Sequence, residues 1–333
     1  MNHQVEIAET SERFAAEPGE SILDAALRAG VALPYSCQAG NCGTCKCEYL
    51  TGEIFELEHS EHALKPEERA RNVILACRTQ IWGDVVLRRI EAEDLVLHPS
   101  RVMRCRVARL ERLTHDIREL HLSVEAGGPL TFSAGQYAQL EFAPGLSRHY
   151  SMANMPEESE LVFQVRHLPG GRTSGFVAER LQAGEGVKVS GPLGVSYLRE
   201  THSGPVLLVA GGSGLAPIES ILRTLLARGH SEPVRLYFGA RGERDVYHEP
   251  LLKELVSRHP NFRYQVVLSE QSDAPGRRAG FVHQAVAADI SEFGGYKAYL
   301  AGPPPMVEAA ANMLLARVGA QRDLHADAFY DQA

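Results

Sequence analysis

Residues 34–45 read PYSCQAGNCGTC, which sets Cys37, Cys42 and Cys45 in the spacing Cys-x4-Cys-x2-Cys, with Cys77 thirty-two positions further on. That is the plant-type [2Fe–2S] ligand pattern, in which four thiolates hold two irons. Gly40 and Gly43 inside the loop free the backbone to wind tightly and turn N–H donors toward the sulfides, which a side-chained residue in a left-handed conformation resists. Structural zinc also uses Cys-x2-Cys, but it normally pairs two such knuckles or adds histidines at fixed spacing. Here there is one knuckle and one distal cysteine. The spacing therefore predicts a cluster held by Cys37, Cys42, Cys45 and Cys77, with zinc as the alternative. Cys47 and Cys105 are left over and read as small buried hydrophobes.

Outward from this loop, the charge is uneven. The 333 residues carry 34 Lys+Arg against 42 Asp+Glu, a net −8, and residues 1–97 alone hold 17 acids and 9 bases while residues 98–333 hold 25 of each. The whole imbalance sits on the segment with the cysteine loop. A nucleic-acid binder needs a basic face, so that class is excluded. An acidic electron carrier instead implies a basic docking patch on its partner. The N-terminus shows no leader pattern and the longest apolar run, 206–210, is too short to cross a bilayer, so a cytoplasmic protein without membrane attachment is expected. A monomer is expected as well. At roughly 150 residues per domain the chain holds two or three domains, and no internal repeat is found.

Pattern shifts mark the boundaries. Residues 5–14 alternate, Ser21 with Asp24 forms a capping pattern before a short apolar helix that Gly30 stops, and strands are expected at 47–50 and 84–87, ahead of a His98-Pro99-Ser100 linker. Residues 102–198 carry short β-rich runs at 102–110, 137–142, 161–165 and 187–189 and a helix after Arg172, which suggests a small β-barrel. From Pro205 onward, strands at 206–210, 234–239, 264–268 and 296–301 alternate with helices at 215–228, 251–258 and 307–318. That alternation predicts a parallel sheet with helices on both faces.

PYSCQAGNCGTC and ILACRT, followed in order by RHYSMAN, PGGRTS, GPLGVSYLR, GLAP, YFGAR and HADAFY, resemble the iron–sulfur flavoprotein reductases that supply electrons to bacterial aromatic-ring-hydroxylating (Rieske) dioxygenases. The resemblance covers the whole chain. It implies an α/β multidomain protein: a β-grasp [2Fe–2S] ferredoxin domain over 1–97, a six-stranded antiparallel FAD-binding β-barrel over 98–200, and a parallel-sheet α/β NAD(P)-binding domain over 201–333. The implied activity is NAD(P)H-dependent electron transfer, as hydride to FAD and then as single electrons through the cluster to a Rieske ferredoxin or terminal oxygenase. NADH is the expected donor and NADPH stays open. The same layout also serves di-iron monooxygenases and a deoxysugar reductase; outside enzymes, a zinc or redox-sensing binding module is the alternative.

The residue chemistry fits. Arg148 can neutralise a phosphate, Tyr150 can lie against the flavin face and Ser151 can offer a hydrogen bond near flavin N5. Gly170, Gly171, Arg172, Thr173 and Ser174 open a helix whose amides can bind the FAD diphosphate. By resemblance Val165, Arg166 and His167 also line the flavin. Gly211, Gly212, Ser213 and Gly214 follow an apolar strand and open a helix, which suits a dinucleotide diphosphate although the spacing is not Gly-x-Gly-x-x-Gly. Gly302, Pro303 and Met306 form a second such turn, where the family's usual cysteine is Ala301. Arg241 can pair with a 2′-phosphate or be a solvated base. Phe329 matches the family's terminal aromatic over the flavin, with Tyr330 as its competitor.

Overall fold

The computed structural model describes residues 2–31, 33–35, 38, 40, 43, 45–61, 63–90, 96, 98–318 and 323–330. The chain divides into two compact units, 1–97 and 98–333.

In the first unit, β1 (His3–Ile7) and β2 (Glu12–Ala16) form the expected hairpin, followed by α1 (Ile22–Ala29). Ser21 caps α1 by accepting the Asp24 N–H, and Gly30 ends it at φ 72°, where its missing Cβ removes the left-handed penalty. Then come β3 (Lys46–Thr51), β4 (Ile54–Glu56), α2 (Pro66–Arg69), β5 (Val73–Leu75), β6 (Thr79–Ile81) and β7 (Val85–Arg89). The sheet runs β2-β1-β7-β3-β5, with β1 and β7 parallel at its centre, and β4 and β6 pair separately. Val5, Ile7, Leu87 and the α1 residues Ile22, Leu23 and Ala26 are all buried, so the helix lies in the grasp of the sheet.

The second unit begins with an antiparallel sheet of β8 (Arg101–Arg112), β9 (Ile117–Ala126), β10 (Tyr137–Ala143), β11 (Leu146–Ser151), β12 (Glu160–Arg166) and β13 (Gly186–Leu193), with α3 at Arg172–Glu179. Its order is β11-β10-β13-β8-β9-β12, and a single Met152–Phe163 bridge joins the two edges, so the sheet is a half-closed barrel. Met103, Cys105 and Val107 alternate inward against outward Arg104 and Arg106 on β8, which is why this strand was legible.

The remainder is a parallel sheet of β14 (Val206–Gly211), β15 (Val234–Ala240), β16 (Phe262–Leu268), β17 (Arg278–Ala279), β18 (Lys297–Gly302) and β19 (Leu324–Ala328), with α4 (Leu215–Ala227), α5 (Glu249–Arg258), α6 (Val282–Asp289) and α7 (Pro304–Val318). Helices α4 and α5 pack on the Leu208 and Ala210 face, while α6 and α7 pack on the Leu207 and Val209 face. Every residue of β14 is therefore buried, and the strand reads as an unbroken apolar run. Each such Val or Leu contributes about 1.5–3 kcal/mol of transfer free energy. The order β17-β16-β15-β14-β18-β19 reverses direction at β14, so the crevice between the ends of β14 and β18 is the topological switch point where ligands of such sheets bind. No helix among the described residues is long and apolar enough to cross a membrane.

Candidate functional site

The cysteine loop is anchored at its C-terminal end. Cys45 leads into β3 and its carbonyl accepts the Ala76 N–H at 2.9 Å, which brings it against the single helical turn carrying Cys77. The two sulfurs lie 3.2 Å apart and buried, well beyond the ~2.05 Å of a disulfide. Gln38, Gly40 and Gly43 adopt φ of 55°, 77° and 72°. A Cβ on Gly43 would come within 2.6 Å of the Ala63 carbonyl, so this winding needs glycine. Cys37 and Cys42 lie outside the described residues. Two buried thiols, one from the tightly wound loop and one from the turn beside it, converge as a [2Fe–2S] site requires. Cys47 and Cys105 are fully buried, and burial pushes their thiols up to about 12 and about 11, which makes them inert core residues.

On the barrel, Arg148, Tyr150 and Ser151 lie along β11. Arg148 is exposed, Ser151 is buried and Tyr150 is half-buried beside the barrel core, which raises its phenol pKa. Helix α3 packs beside β11 and β12, and no side chain caps its N-terminus at Gly171. Its first-turn amides are thus open to an anion, with exposed Arg172 there and Thr173 and Ser174 buried. Ser174 Oγ is occupied, accepting the Leu168 N–H at 3.2 Å. Val165 points into the barrel core, so it can meet a ligand only through its main chain. Arg166 Nε donates to Asp116 at 2.9 Å, and the half-buried His167 is held by its N–H to the Asp116 carbonyl at 2.7 Å.

At the switch point the two glycine turns press on each other. A Cβ on Gly211 would come within 2.5 Å of Met306 Sδ and 3.0 Å of Pro303, and one on Gly302 within 2.7 Å of the Gly211 carbonyl; one on Gly214 would overlap the Ala301 carbonyl. These glycines are thus needed by the protein's own backbone, whereas Gly212 and Ser213 are the half-buried members that face outward. Phe329 is brought here by its N–H, which donates to the Gly302 carbonyl at 2.9 Å, while Tyr330 is tied to α7 through a 3.2 Å bond to Glu308. Arg241, at the end of β15, is part-exposed and ion-paired: its Nη2 donates to Asp116 at 3.3 Å and to Asp245 at 3.1 Å.

A buried polar network, invisible in the sequence pattern, joins the barrel to the nucleotide sheet. Glu119 (β9), Gln164 (β12), Glu219 (α4) and Tyr247 are each nine-tenths or more buried. His248 Nε2 faces Glu119 at 3.2 Å and Nδ1 faces Glu219 at 2.7 Å, so both ring nitrogens donate. Burial opposes the charged ring, yet the two carboxylates raise it to about 10; Glu119, also opposed by burial, is lowered to about 2 by His121 and His248. The Glu119 contribution to stability is fully present above its ordinary 4.5 and lost as pH falls toward 2, and the His248 contribution is fully present below 6.5 and lost as pH rises toward 10. The melting temperature of the second unit should therefore be highest near pH 4.5–6.5 and decline from there to pH 9.5. Calorimetry of Glu119→Gln should show the alkaline decline flattened; an unchanged slope would refute the assignment.

The chain matches family models for a 2Fe-2S iron-sulfur cluster binding domain over residues 5–81, an oxidoreductase FAD-binding domain over 104–197 and an oxidoreductase NAD-binding domain over 208–312. It is 42% identical, over 95% of each chain, to the ferredoxin–NAD(P)+ reductase component of naphthalene 1,2-dioxygenase/salicylate 5-hydroxylase systems from Ralstonia sp. To the naphthalene 1,2-dioxygenase reductase component of Pseudomonas putida it is 38% identical over 94% of each. Among solved structures, the Amycolatopsis cytochrome P450 reductase superposes with a TM-score of 0.83 at 38% identity over 98% of each chain. The ferredoxin reductase of carbazole 1,9a-dioxygenase gives 0.72 at 30% over 99% of each. Cluster thiols, a flavin-type barrel and a dinucleotide-type sheet on one chain define an iron–sulfur flavoprotein oxidoreductase. The chain belongs to the family of ferredoxin–NAD(P)+ reductase components of oxygenase systems. It is a NAD(P)H-dependent electron-transfer enzyme with FAD and a [2Fe–2S] cluster, and the zinc or sensor module is set aside.

Proposed function

We propose that this reductase delivers electrons from NADH to the Rieske ferredoxin or terminal oxygenase of an aromatic-ring-hydroxylating dioxygenase. The observation that carries the partner class is the 42% identity, sustained over 95% of both chains, to a naphthalene dioxygenase reductase component. A 38% match over the whole chain to a phenol 2-monooxygenase reductase component from Pseudomonas supports the monooxygenase as second reading. When bound, FAD takes up the two electrons of the nicotinamide and passes them singly to the cluster.

The chain's own residues divide this work over the proposed segments 1–97, 98–200 and 201–333. Cys37, Cys42, Cys45 and Cys77 hold the cluster. Arg148 and Arg172, with the first-turn amides of α3 at Arg172, Thr173 and Ser174 that follow the N-cap Gly171, hold the FAD phosphates. Tyr150 and Ser151 flank the ring system, and Arg166, His167 and the Val165 main chain border it. Gly212 and Ser213 face the nicotinamide diphosphate, backed by Gly211, Gly214, Gly302, Pro303 and Met306. Phe329, held at the Gly302 turn, would cover the flavin ring.

Arg241 bears on the choice of donor. Asp116 and Asp245 already sit on its Nη2, so a 2′-phosphate brought to Arg241 meets two nearby carboxylates. NADH should give the higher kcat/KM. Asp245→Asn, which keeps an acceptor for the Gly242 N–H, should improve NADPH relative to NADH by roughly fivefold; no change in that ratio removes Arg241 from the ribose site. The overall reading is tested with purified protein: flavin and iron–sulfur absorption bleached by NADH, and faster turnover with a Rieske ferredoxin and its dioxygenase than with a di-iron hydroxylase. Preference for the hydroxylase would move the chain to the second reading.

A further inference from the structure

We propose that Tyr247 is a positioning residue for hydride transfer, fixing the glycine turn of the nucleotide sheet against the flavin-bearing strand of the barrel. Its hydroxyl lies 2.6 Å from Gln164 Oε1 on β12 and 3.0 Å from the Gly212 carbonyl at the end of β14. One buried O–H, shared between these two acceptors, thus links the two surfaces between which nicotinamide and flavin must meet. Gly212 also abuts β12 directly, since a Cβ there would come within 3.2 Å of Arg166 Nη1.

The link is held stiffly on both sides. Gln164 Nε2 donates to Glu219 at 3.2 Å and reaches toward Glu119 at 3.5 Å, which settles its amide orientation and leaves Oε1 for Tyr247. Those same carboxylates clamp His248, the residue after Tyr247, which sits at φ 54°. The Tyr247 ring packs edge-on against Phe238 of β15 at 5.6 Å. Burial raises its phenol pKa, so the hydroxyl stays a donor at any working pH. A network built only to glue two surfaces has no need to reach the Gly212 carbonyl. Reaching it matters if donor and acceptor must be aligned, because a 1 Å misplacement can cost about 10²-fold in rate.

The inference rests on the proposed site, so the test separates the two. With FAD-loaded protein under anaerobic conditions, Tyr247→Phe keeps the ring and removes the hydroxyl. Flavin reduction at saturating NADH should fall roughly tenfold, while the half-saturating NADH concentration and the affinity for NAD+ change less than about twofold. Hydrogen–deuterium exchange should independently show faster exchange in residues 206–220 and none in residues 1–90. His248→Asn, which tolerates the left-handed backbone and leaves Tyr247 in place, should loosen the same segment and give a smaller loss of rate. A folded variant of either kind with the wild-type saturating rate and unchanged exchange overturns the positioning role. Wild-type protein whose flavin NADH does not reduce overturns the site reading instead.

Discussion

Cys77→Ser is expected to abolish electron delivery to protein acceptors while sparing the reaction between NADH and flavin. Cys77 sits buried on its own turn against Cys45, with its sulfur 3.2 Å from that of Cys45, so serine removes one of the four proposed cluster ligands. The damage should stay local. The first unit folds on its own core of Val5, Ile7, Ile22, Leu23 and Leu87, whereas the flavin barrel and nucleotide sheet are built on residues 98–333. Iron–sulfur absorption should disappear, reduction of cytochrome c or the physiological ferredoxin should fall by on the order of a hundredfold or more, and reduction of ferricyanide by NADH should stay within about twofold of wild type. Retained delivery to the ferredoxin would mean that electrons leave from the flavin and that the first unit is not the exit.

The contrast between these regions also explains what the sequence made legible. Strands with one clean apolar face or two, such as β8 and β14, stood out, and so did helices marked by Ser21 or by a glycine turn. The two- and three-residue strands β4, β5, β6 and β17 are too short to show a period, and three longer ones, β9, β11 and β19, did not stand out either. Each turns polar residues to places where a pattern reader expects apolar ones. Strand β9 buries Glu119 and His121 for the network, β11 carries Arg148 and Ser151, and β19 carries His325 and the buried Asp327. On β9 the buried Glu119 and His121 are satisfied by each other and by His248 from another element, and that satisfaction is visible only in three dimensions. For the same reason the cysteine spacing announced itself, while Asp116, Asp245, Gln164, Glu219, Tyr247 and His248 gave no signal. Arg241 shows the cost: read alone it is a phosphate ligand or a solvated base, and read with Asp116 and Asp245 it is an ion-paired one.

Gly302→Ala is expected to damage the nucleotide sheet severely. Gly302 ends β18 at φ 140°, a region open essentially to glycine, and its added Cβ would lie 2.7 Å from the Gly211 carbonyl and 3.0 Å from the Gly211 nitrogen. Backbone cannot swing aside as a side-chain tip can, so the turns after β14 and β18 must separate. The conformational penalty is about 1–3 kcal/mol before the clash is counted, and at about 2–4 °C per kcal/mol for a unit of this size a drop of several degrees in melting temperature follows. Function should suffer more than stability. The separated turns widen the crevice at the switch point and release the Gly302 carbonyl from the Phe329 N–H, so the half-saturating NADH concentration should rise and the flavin reduction rate should fall together, by roughly tenfold each. FAD content should be retained, because the barrel core is elsewhere. Gly229→Ala is the matched control: it also replaces a left-handed glycine, at φ 78°, but nothing lies within 4 Å of the new Cβ. It should cost about 1 kcal/mol and leave NADH kinetics unchanged, and if both variants behaved alike, backbone strain rather than the meeting of the two turns would account for the effect.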